Sequence, residues 1–473
     1  MRQKKGTPIS CKITSVFLLL IFAFFVQAVV AGTNRIEKSP YTMKEKYPNI
    51  LIIVLDACRY DFTSLSNPNI RNTPFLSELT KVRKIFNFSS TYSTYDSSNL
   101  SHSSLMSGFI TVDQAIRDMP QFSLPYQLKT LGYETIGIVA NGNLSPKTMP
   151  FFIHFDKFFN LYEIWASFSQ EEKDEISKTL DKKILTYAEE TNAFNRGAVF
   201  CSGNRVITLF KDYLKDSAHP FFGFINLMDA HDPYYPDERY YNVEKEEQLN
   251  IKLKGDLRSR KLSNDQINPD SIKDDIKRQL VKKRLEIAQG RAWSLSDDLS
   301  KEAIEIYRRR YAAKIKELDD YIRQIFEALE KKDLLSSTII FITADHGESF
   351  GENGFMTHSL GNQGDRESTH RVPLAMYCPK KYGLKGIKLS ILASIADIPP
   401  TIYDLLRVNW FPLANMSLVG NYGKSLVPYI VCPFEAKYDK ELTLGKSALI
   451  DPGEIEKKKN EALKRLRSLG YIK

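Results

Sequence analysis

An apolar run near the start of the chain most constrains what this sequence can fold into. Residues 49–55 read Asn-Ile-Leu-Ile-Ile-Val-Leu, and Asp56 follows directly. A continuous run rich in β-branched residues is typical of a strand buried on both faces, as in parallel sheets. Asp56 then lies at the carboxyl end of that strand, where α/β sheets place ligand-binding groups. The run therefore predicts a parallel core with a carboxylate at its ligand edge.

Further predicted strands also end in polar turns. They are residues 132–139, 221–227 and 338–343. Asp229 and His231 follow the second of these, and Asp345 and His346 follow the third. Parallel strands share their carboxyl edge, so these groups can meet although they are far apart in sequence. We predict an α/β fold, a three-layer α/β/α sandwich with a mixed, largely parallel sheet and a small C-terminal subdomain.

Helical patterns lie between the predicted strands. Residues 98–108 begin with polar capping residues and end at a glycine, so they predict a short helix. Apolar residues repeat at steps of three and four from Tyr311 to Leu329, which indicates an amphipathic helix. Residues 391–406 are predicted to be helical at least in part.

The polar groups at the predicted edge suit the cleavage of an ester. Asp56, Asp345 and His346 offer oxygen and nitrogen ligands for one divalent metal ion, which would neutralise an ester oxyanion. A hydroxyl of the serine-rich helix start at 97–104 would be favoured as a nucleophile by the helix dipole. His231 or His358 could protonate the leaving oxygen. Each feature alone also occurs as an ordinary cap or turn, so the prediction rests on their joint occurrence.

The first 35 residues are predicted to direct the chain out of the cytoplasm. Basic residues precede an uncharged, largely apolar run over residues 13–34. This is the pattern of a secretory signal peptide. The run is also close to the roughly 20 residues that span a bilayer, so an uncleaved single membrane anchor remains an alternative. In either case we expect residues 40–473 to be extracytoplasmic, either secreted or periplasmic, or anchored by an N-terminal helix.

Composition excludes several other classes of protein. The net charge of +9 is concentrated in the first 50 residues, and no basic stripe with interleaved aromatics follows, so we predict no nucleic-acid partner. None of the 5 cysteines has the spacing of a zinc ribbon or a redox motif. Residues 237–305 are rich in charged side chains and predict an exposed insertion. The sequence does not indicate an oligomeric state.

Residues 48–473 resemble the sulfatase family of the alkaline-phosphatase-like superfamily, in the family's own order. The first strand and metal turn are matched by 49–59, the second metal motif by 343–348, and the strand before a substrate-facing histidine by 221–236. Further landmarks match at 371–374, 397–401 and 469–472. The resemblance implies one catalytic domain over 48–430, with 431–473 as a C-terminal extension of the same domain.

The resemblance implies a metal site with one departure. Asp56, Asp345 and His346 match metal ligands of the family. An Asp-His pair is similar to members that use manganese, zinc or magnesium, whereas members with an Asp-Asn pair take calcium. Ala57 stands where many sulfatases have a second carboxylate, so one ligand of that pattern is missing.

The nucleophile position is the main departure from the family pattern. Aligning residues 104–108 on the family's Ser-Leu-x-Thr-Gly places Ser98 at the nucleophile. Leu100 then replaces the proline, and His102 the arginine, of Cys-x-Pro-x-Arg. This stretch resembles a Thr-Leu-Pro-Ser-His variant that lacks the recognition pattern for formylglycine, so we expect Ser98 to act as a plain serine. A phosphate group on a plain serine can be hydrolysed or transferred to an acceptor, so a plain serine favours a phosphate ester over a sulfate ester as substrate.

Other positions match groups that contact the ester oxyanion or the leaving group in relatives. These are His102, Asn141, His231 and His358. Asn141 stands where many sulfatases have a lysine, which weakens anion binding unless another base compensates. Arg59 follows the metal turn and could do so, or could form a structural ion pair.

We predict a metal-dependent hydrolase of sulfate or phosphate esters carried by a small molecule or a glycan. Two alternatives stay open. The first is a transferase of a phospho-alcohol group to a surface glycan or lipid. The second is a non-catalytic binding protein, which would account for Ala57, Leu100, His102 and Asn141.

Overall fold

The computed structural model of the protein describes residues 47–431 except 111, 113–121, 180–202, 218, 219, 233, 235, 238, 242–300, 360–363 and 409–421. Apart from Tyr47, these residues belong to a compact unit of 48–409 and 421–473. The predicted signal or anchor, most of the charged insertion and residues 432–473 lie outside the described residues. Within the described part, the helices are too short or too polar to cross a bilayer.

Strands and helices alternate along the described chain. The strands are β1 (Asn49–Leu55), β2 (Ile85–Tyr92), β3 (Glu134–Val139), β4 (Lys157–Phe159), β5 (Phe221–Leu227), β6 (Thr338–Thr343), β7 (Ser349–Phe350), β8 (Met356–Thr357), β9 (Leu374–Tyr377) and β10 (Lys388–Ser394). The α-helices are α1 (Pro74–Lys81), α2 (Ser98–Ser107), α3 (Leu124–Thr130), α4 (Leu161–Ala166), α5 (Gln170–Thr179), α6 (Gly203–Asp216), α7 (Lys301–Lys331), α8 (Arg366–Thr369), α9 (Ile398–Leu405) and α10 (Val427–Val431). Short 3₁₀ helices lie at Tyr60–Phe62, Pro150–His154, Leu335–Ser337, Glu352–Gly354, Lys380–Tyr382 and Ile395–Asp397.

Strand β1 lies in the middle of an eight-stranded sheet with the order β10-β2-β9-β6-β1-β5-β3-β4. It pairs in parallel with β5, where Leu55 stands beside Leu227, and with β6, where Val54 stands beside Thr343. Strand β9 runs antiparallel to its neighbours β2 and β6, and the other pairs in this sheet are parallel. The predicted mixed, largely parallel sheet is confirmed.

Both faces of the central strands are covered. Every residue of β1, β5 and β6 is buried, which is why these strands are continuous apolar runs and not alternating ones. Helices α1 and α6 each pack against α7, and α3 and α9 each pack against α2. A sheet between two helix groups is the predicted sandwich.

Most predicted elements have the expected bounds. Strands β1, β5 and β6 match them, and β3 begins at Glu134, two residues after the predicted start. Helix α2 ends at Gly108, whose φ of 81° is a left-handed conformation that glycine adopts without a Cβ clash. Helix α7 begins at Lys301, inside the segment predicted as an insertion. The described cysteines, Cys58 and Cys378, are buried free thiols.

The predicted helix over residues 391–406 is wrong in its first part. Residues 388–394 form the edge strand β10, and α9 begins only at Ile398. In β10 exposed and buried residues alternate, with Leu389, Ile391 and Ala393 facing inwards. A period of two is that of a half-buried strand, and the exposed Leu392 hid it in the sequence.

A buried ion network joins α7 to the turn after β5. Lys314 Nζ lies 2.5 Å from Glu317 Oε2 and 3.4 Å from Asp229 Oδ1. Asp229 also accepts hydrogen bonds from the Gly203 N–H, and Glu317 from the Asp237 N–H. Burial by itself lowers the pKa of Lys314, but the two carboxylates raise that pKa overall. Lys314 therefore stays charged and supplies a positive charge to both acids, although burial still raises the pKa of Glu317 overall.

Lys314→Met is expected to lower the free energy of unfolding by about 3–5 kcal/mol, because it leaves two buried carboxylates without their cation. Chemical denaturation of the purified chain measures this change. Lys316→Met, at a half-buried lysine two residues along the same helix, is the matched control and should stay within about 0.5 kcal/mol. Equal effects of the two substitutions would contradict the role of the network.

A second buried acid on α7 fixes the start of α1. Asp319 accepts hydrogen bonds from the Phe75 N–H at 2.7 Å and the Leu76 N–H at 3.1 Å. These are amides of the first turn of a helix, which have no partner within the helix. Burial raises the pKa of Asp319 to about 7.

The contribution of Asp319 to stability is therefore expected to fall as pH rises from about 4 to about 7. Over this range the folded chain keeps the Asp319 proton, whereas the unfolded chain has lost it. Each unit of pKa difference corresponds to about 1.4 kcal/mol. Denaturation curves across this range should show a smaller fall for Asp319→Asn than for the wild type. Asp320→Asn, at the neighbouring half-buried acid, should keep the wild-type fall.

Candidate active site

Asp56 comes directly after β1 and is fully buried. Its Oδ2 accepts hydrogen bonds from Asn141 Nδ2 at 2.8 Å and Asn226 Nδ2 at 3.0 Å. Its Oδ1 receives no hydrogen bond from the described residues and lies 4.0 Å from His346 Nε2. Two amides thus orient the carboxylate and leave one oxygen turned towards the imidazole.

Asp345 follows the neighbouring strand β6 and faces Asp56 across the same edge. Its Oδ1 accepts hydrogen bonds from the Ala57 N–H at 3.1 Å and the His346 N–H at 2.9 Å. Its Oδ2 lies 3.5 Å from both His346 Nε2 and His102 Nδ1. Burial by itself raises the pKa of Asp345, but the two imidazoles and the Ala57 N–H lower that pKa overall. The side chain is therefore a buried carboxylate in its charged form.

His346 is oriented by its own backbone. Its Nδ1–H donates to the Gly347 carbonyl at 2.9 Å, so Nε2 is the nitrogen that faces the carboxylates. Gly347 lets this segment approach α8 closely, because a Cβ at that position would come within 2.0 Å of the Ser368 carbonyl oxygen. The Gly347 N–H donates to the Thr369 carbonyl. A glycine is thus required where the second metal motif meets the next helix.

Asp56, Asp345 and His346 offer one ligand atom each, and these atoms lie within 4.8 Å of one another. Two carboxylate oxygens and one imidazole nitrogen form a donor set that suits manganese, zinc or magnesium. Asp56 Oδ1 is a buried acceptor that the described residues leave without a hydrogen bond. A divalent cation would supply the positive charge that two buried carboxylates need. The residues present therefore fit the metal that the sequence predicts.

Ser98 is the first residue of α2 and is placed beside this group. Its Oγ lies 3.2 Å from His346 Nε2 and accepts a hydrogen bond from Asn141 Nδ2 at 3.2 Å. Asn141 therefore touches both Asp56 and Ser98. His102, one helical turn later, donates from Nδ1 to the Ser98 carbonyl at 2.8 Å. The hydroxyl thus lies at a helix amino terminus, where backbone N–H groups favour an anion.

Two further histidines extend the group from His346: His358 lies beside it, and His231 lies beside His358. The rings of His358 and His346 are 4.1 Å apart, and those of His358 and His231 are 4.8 Å apart. Glu348 Oε1 accepts from His358 Nδ1 at 3.0 Å, and the Asp232 carbonyl accepts from His231 Nδ1 at 2.7 Å. Both imidazoles are therefore fixed in orientation. His231, Asp232 and His358 are also close enough to one another to form a second group of metal ligands.

The backbone around His358 is strained. Thr357 and Ser359 have φ values of 67° and 63°, in the left-handed region. A β-branched residue with positive φ is rare, and such conformations persist only where the surroundings enforce them. The carboxylate of Glu348 and this backbone together hold His358 in place.

The side chain of Arg59, a predicted substrate-binding residue, is held by acidic neighbours. Its Nε and Nη2 donate to Asp61 at 2.9 and 2.8 Å. Its Nη1 donates to Glu352 at 2.7 Å and to the Glu348 carbonyl at 2.9 Å. These contacts favour the structural ion pair over a role in anion binding.

Three groups near the site have no role in the prediction from sequence. Asn226 is a polar residue inside an apolar strand, and this contrast is the feature of the sequence that could have indicated its role at the site. Glu348 ends the second metal motif, but its contact with His358 depends on the hairpin of β7 and β8. Tyr311 was counted as one of the apolar residues of α7, although its hydroxyl reaches the turn after Asp56.

An α/β fold with these groups at the carboxyl edge of its sheet is that of the alkaline-phosphatase-like ester hydrolases. A family model described as Sulfatase matches residues 48–408. The chain therefore belongs to the sulfatase family, and the predicted family is confirmed.

Individual relatives are distant. An arylsulfatase from Clostridium perfringens is 21% identical over 396 residues, which cover 76% of this chain and 75% of that protein. The structure of a phosphonate monoester hydrolase from Agrobacterium radiobacter has a TM-score of 0.52 at 19% identity, covering 81% of this chain and 77% of that one. A structure solved with its substrate D-glucosamine-2-N,6-O-disulfate also has a TM-score of 0.52, at 18% identity, covering 81% and 80%.

Addition of Mn²⁺ to the metal-stripped protein is expected to raise its stability. At a hundred times the dissociation constant the gain is about 2.7 kcal/mol, because the cation binds only the folded site. Scanning calorimetry with and without metal measures it. Asp345→Ala should abolish the gain, whereas Asp61→Asn, at an acid that pairs with Arg59, should retain it. The site would be contradicted if manganese, zinc, magnesium and calcium all left the melting temperature of the wild type at its metal-free value.

Proposed function

We propose that the chain is a metal-dependent hydrolase of phosphate or sulfate esters in which Ser98 is the nucleophile. The observation that carries the proposal is the position of Ser98 Oγ, 3.2 Å from His346 Nε2 and 3.2 Å from Asn141 Nδ2. A buried hydroxyl at a helix amino terminus, beside a buried Asp-Asp-His group, is the arrangement that an activated serine needs.

The residues of the chain take distinct parts in the reaction. Asp56, Asp345 and His346 would hold the divalent cation, which neutralises an ester oxyanion and lowers the pKa of a bound hydroxyl. Asn141 positions the attacking oxygen through its hydrogen bond to Ser98. The amino terminus of α2 favours both the serine alkoxide and the incoming anion.

The leaving group departs on the side of the two fixed histidines. Ser98 attacks as its alkoxide after its hydroxyl proton has been released to solvent, and as the bond from Oγ to phosphorus or sulfur forms, the bond to the ester oxygen breaks. That oxygen takes a proton from His358 or His231. Of the two, His358 lies closer to the Asp-Asp-His group, since its ring is 4.1 Å from His346. Water then hydrolyses the ester on Ser98 and regenerates the hydroxyl.

A phosphoric ester is the favoured substrate. Leu100 and His102 replace the proline and arginine of the formylglycine pattern, so Ser98 is expected to remain a serine. A serine phosphate ester can be hydrolysed directly, whereas a serine sulfate ester lacks the carbonyl hydrate that expels sulfate from formylglycine. The similarity to a phosphonate monoester hydrolase supports an ester of phosphorus as the substrate, and the similarity to an arylsulfatase supports a sulfate ester. We further propose that the enzyme acts outside the cytoplasm on a small molecule or a glycan.

Turnover of an aryl phosphate and an aryl sulfate by the manganese-loaded protein tests this function. We expect the aryl phosphate to be the better substrate and Ser98→Ala to lower kcat at least about 10³-fold. Ser103→Ala is the matched control. It is a buried serine of the same helix whose hydroxyl donates to the Asn99 carbonyl, and its removal should leave kcat within about threefold.

The outcomes separate the alternatives. Activity that survives in Ser98→Ala would show that another group is the nucleophile. A wild type that binds metal but cleaves neither ester would favour a transferase that needs its own donor. A wild type that neither binds metal nor cleaves either ester would favour a binding protein.

A further inference from the structure

Helix α7 reaches the metal site through one hydroxyl. Tyr311 is fully buried, and its Oη donates to the Ala57 carbonyl at 2.7 Å and accepts from the Arg59 N–H at 2.8 Å. These two backbone groups lie at opposite ends of the short turn that follows Asp56. A single side chain therefore bridges that turn.

The turn that Tyr311 bridges is strained. Ala57 has a φ of 59°, in the left-handed region, although it is not a glycine. For a residue with a Cβ this conformation costs about 1–2 kcal/mol, so surrounding contacts must enforce it. Within the turn itself, the Cys58 N–H donates to the Leu55 carbonyl at 3.1 Å. The hydroxyl of Tyr311 adds two hydrogen bonds that favour the strained form.

The strained residue also connects the two carboxylates. Ala57 follows Asp56 in the chain, and its N–H donates to Asp345 Oδ1 at 3.1 Å. If the 56–57 peptide rotated to let Ala57 relax to an ordinary conformation, the hydrogen bond from its N–H to Asp345 would break. The coupling of the two carboxylates through this turn therefore depends on the conformation of Ala57, in addition to the pairing of the strands.

The ring of Tyr311 is held independently of its hydroxyl. Phe62, Phe350 and Tyr234 surround it, with ring centroids at 4.8, 5.0 and 5.6 Å. Replacing Tyr311 by phenylalanine would keep these ring contacts and remove only the two hydrogen bonds to the turn.

We propose that Tyr311 is a positioning residue for the metal site, which acts by holding Ala57 in its left-handed conformation so that Asp56 and Asp345 are pre-set as a pair. The inference rests on the proposed metal site and adds to it a residue that touches neither metal nor substrate. Groups that orient metal ligands typically change metal affinity about 10- to 100-fold when they are removed.

The test compares Tyr311→Phe with Tyr133→Phe in the full-length protein. Tyr133 is also buried, and its hydroxyl donates to the Pro48 carbonyl at 2.8 Å, at the opposite end of the same strand. Calorimetric titration of each metal-stripped protein with Mn²⁺ gives the dissociation constant. Scanning calorimetry without metal gives the stability. Amide hydrogen exchange reports on the turn at residues 57–59.

We expect the dissociation constant for Mn²⁺ to rise about 10- to 100-fold in Tyr311→Phe and to stay at the wild-type value in Tyr133→Phe. Without metal, Tyr311→Phe should lose more stability than Tyr133→Phe, since it removes two hydrogen bonds to the strained turn, and the calorimetric scan measures this loss separately from the dissociation constant. An unchanged dissociation constant in Tyr311→Phe, or an equal rise in both variants, overturns the inference.

A wild type that binds no divalent cation would overturn the proposed metal site, and hydrogen exchange then decides the role of Tyr311 by itself. Faster exchange of the Ala57 amide, which donates to Asp345 and not to Tyr311, in Tyr311→Phe than in Tyr133→Phe supports the proposed role of Tyr311 in fixing the turn. Equal exchange of that amide in the two variants overturns it.

Discussion

The parallel pairing of β1 with β5 and β6 is the constraint on which the rest of the site depends. Because the three strands run in the same direction and in fixed register, the turns that follow them meet at one edge. Asp56, the turn with His231, and the Asp345–His346 pair are brought together in this way. A slip of one residue in any of these pairings would turn the side chains of that strand to the opposite face of the sheet.

Charge is neutralised differently at two neighbouring places in the core. Behind the turn after β5, Lys314 supplies the positive charge for Asp229 and Glu317 within the fold itself. At the edge, the described partners of Asp56 and Asp345 are amides, backbone N–H groups and imidazoles. The first group has its cation, Lys314, within the chain and needs no ligand to supply one. The second group has the composition of a site that receives its positive charge from outside the chain.

Much of the site could be predicted because it follows continuous apolar runs, whose ends are visible in the sequence. The residues that lie directly after a buried strand, such as Asp56 and Asp345, were located by that rule. Contacts that depend on tertiary packing were not predictable. Whether Arg59 binds an ester or its acidic neighbours depends on the position of Glu352 in the folded chain. The proposed role of Tyr311 depends on its hydroxyl, whereas a hydrophobic pattern counts the residue as apolar. For the edge strand β10, an outward-facing leucine made a period of two resemble a helix.

The order of the strands also has a consequence for synthesis of the chain. Asn49 pairs with Thr338, which lies 289 residues further along. At about 5–20 residues per second, roughly 15–60 s pass between the synthesis of these two residues. Throughout that time the buried apolar strand β1 has at least one of its two edges unpaired, and an open apolar edge recruits strands from other chains. A nascent or truncated chain that stops before β6 is therefore a substrate for chaperones and a source of aggregates, and it lacks Asp345 and His346 of the proposed metal site.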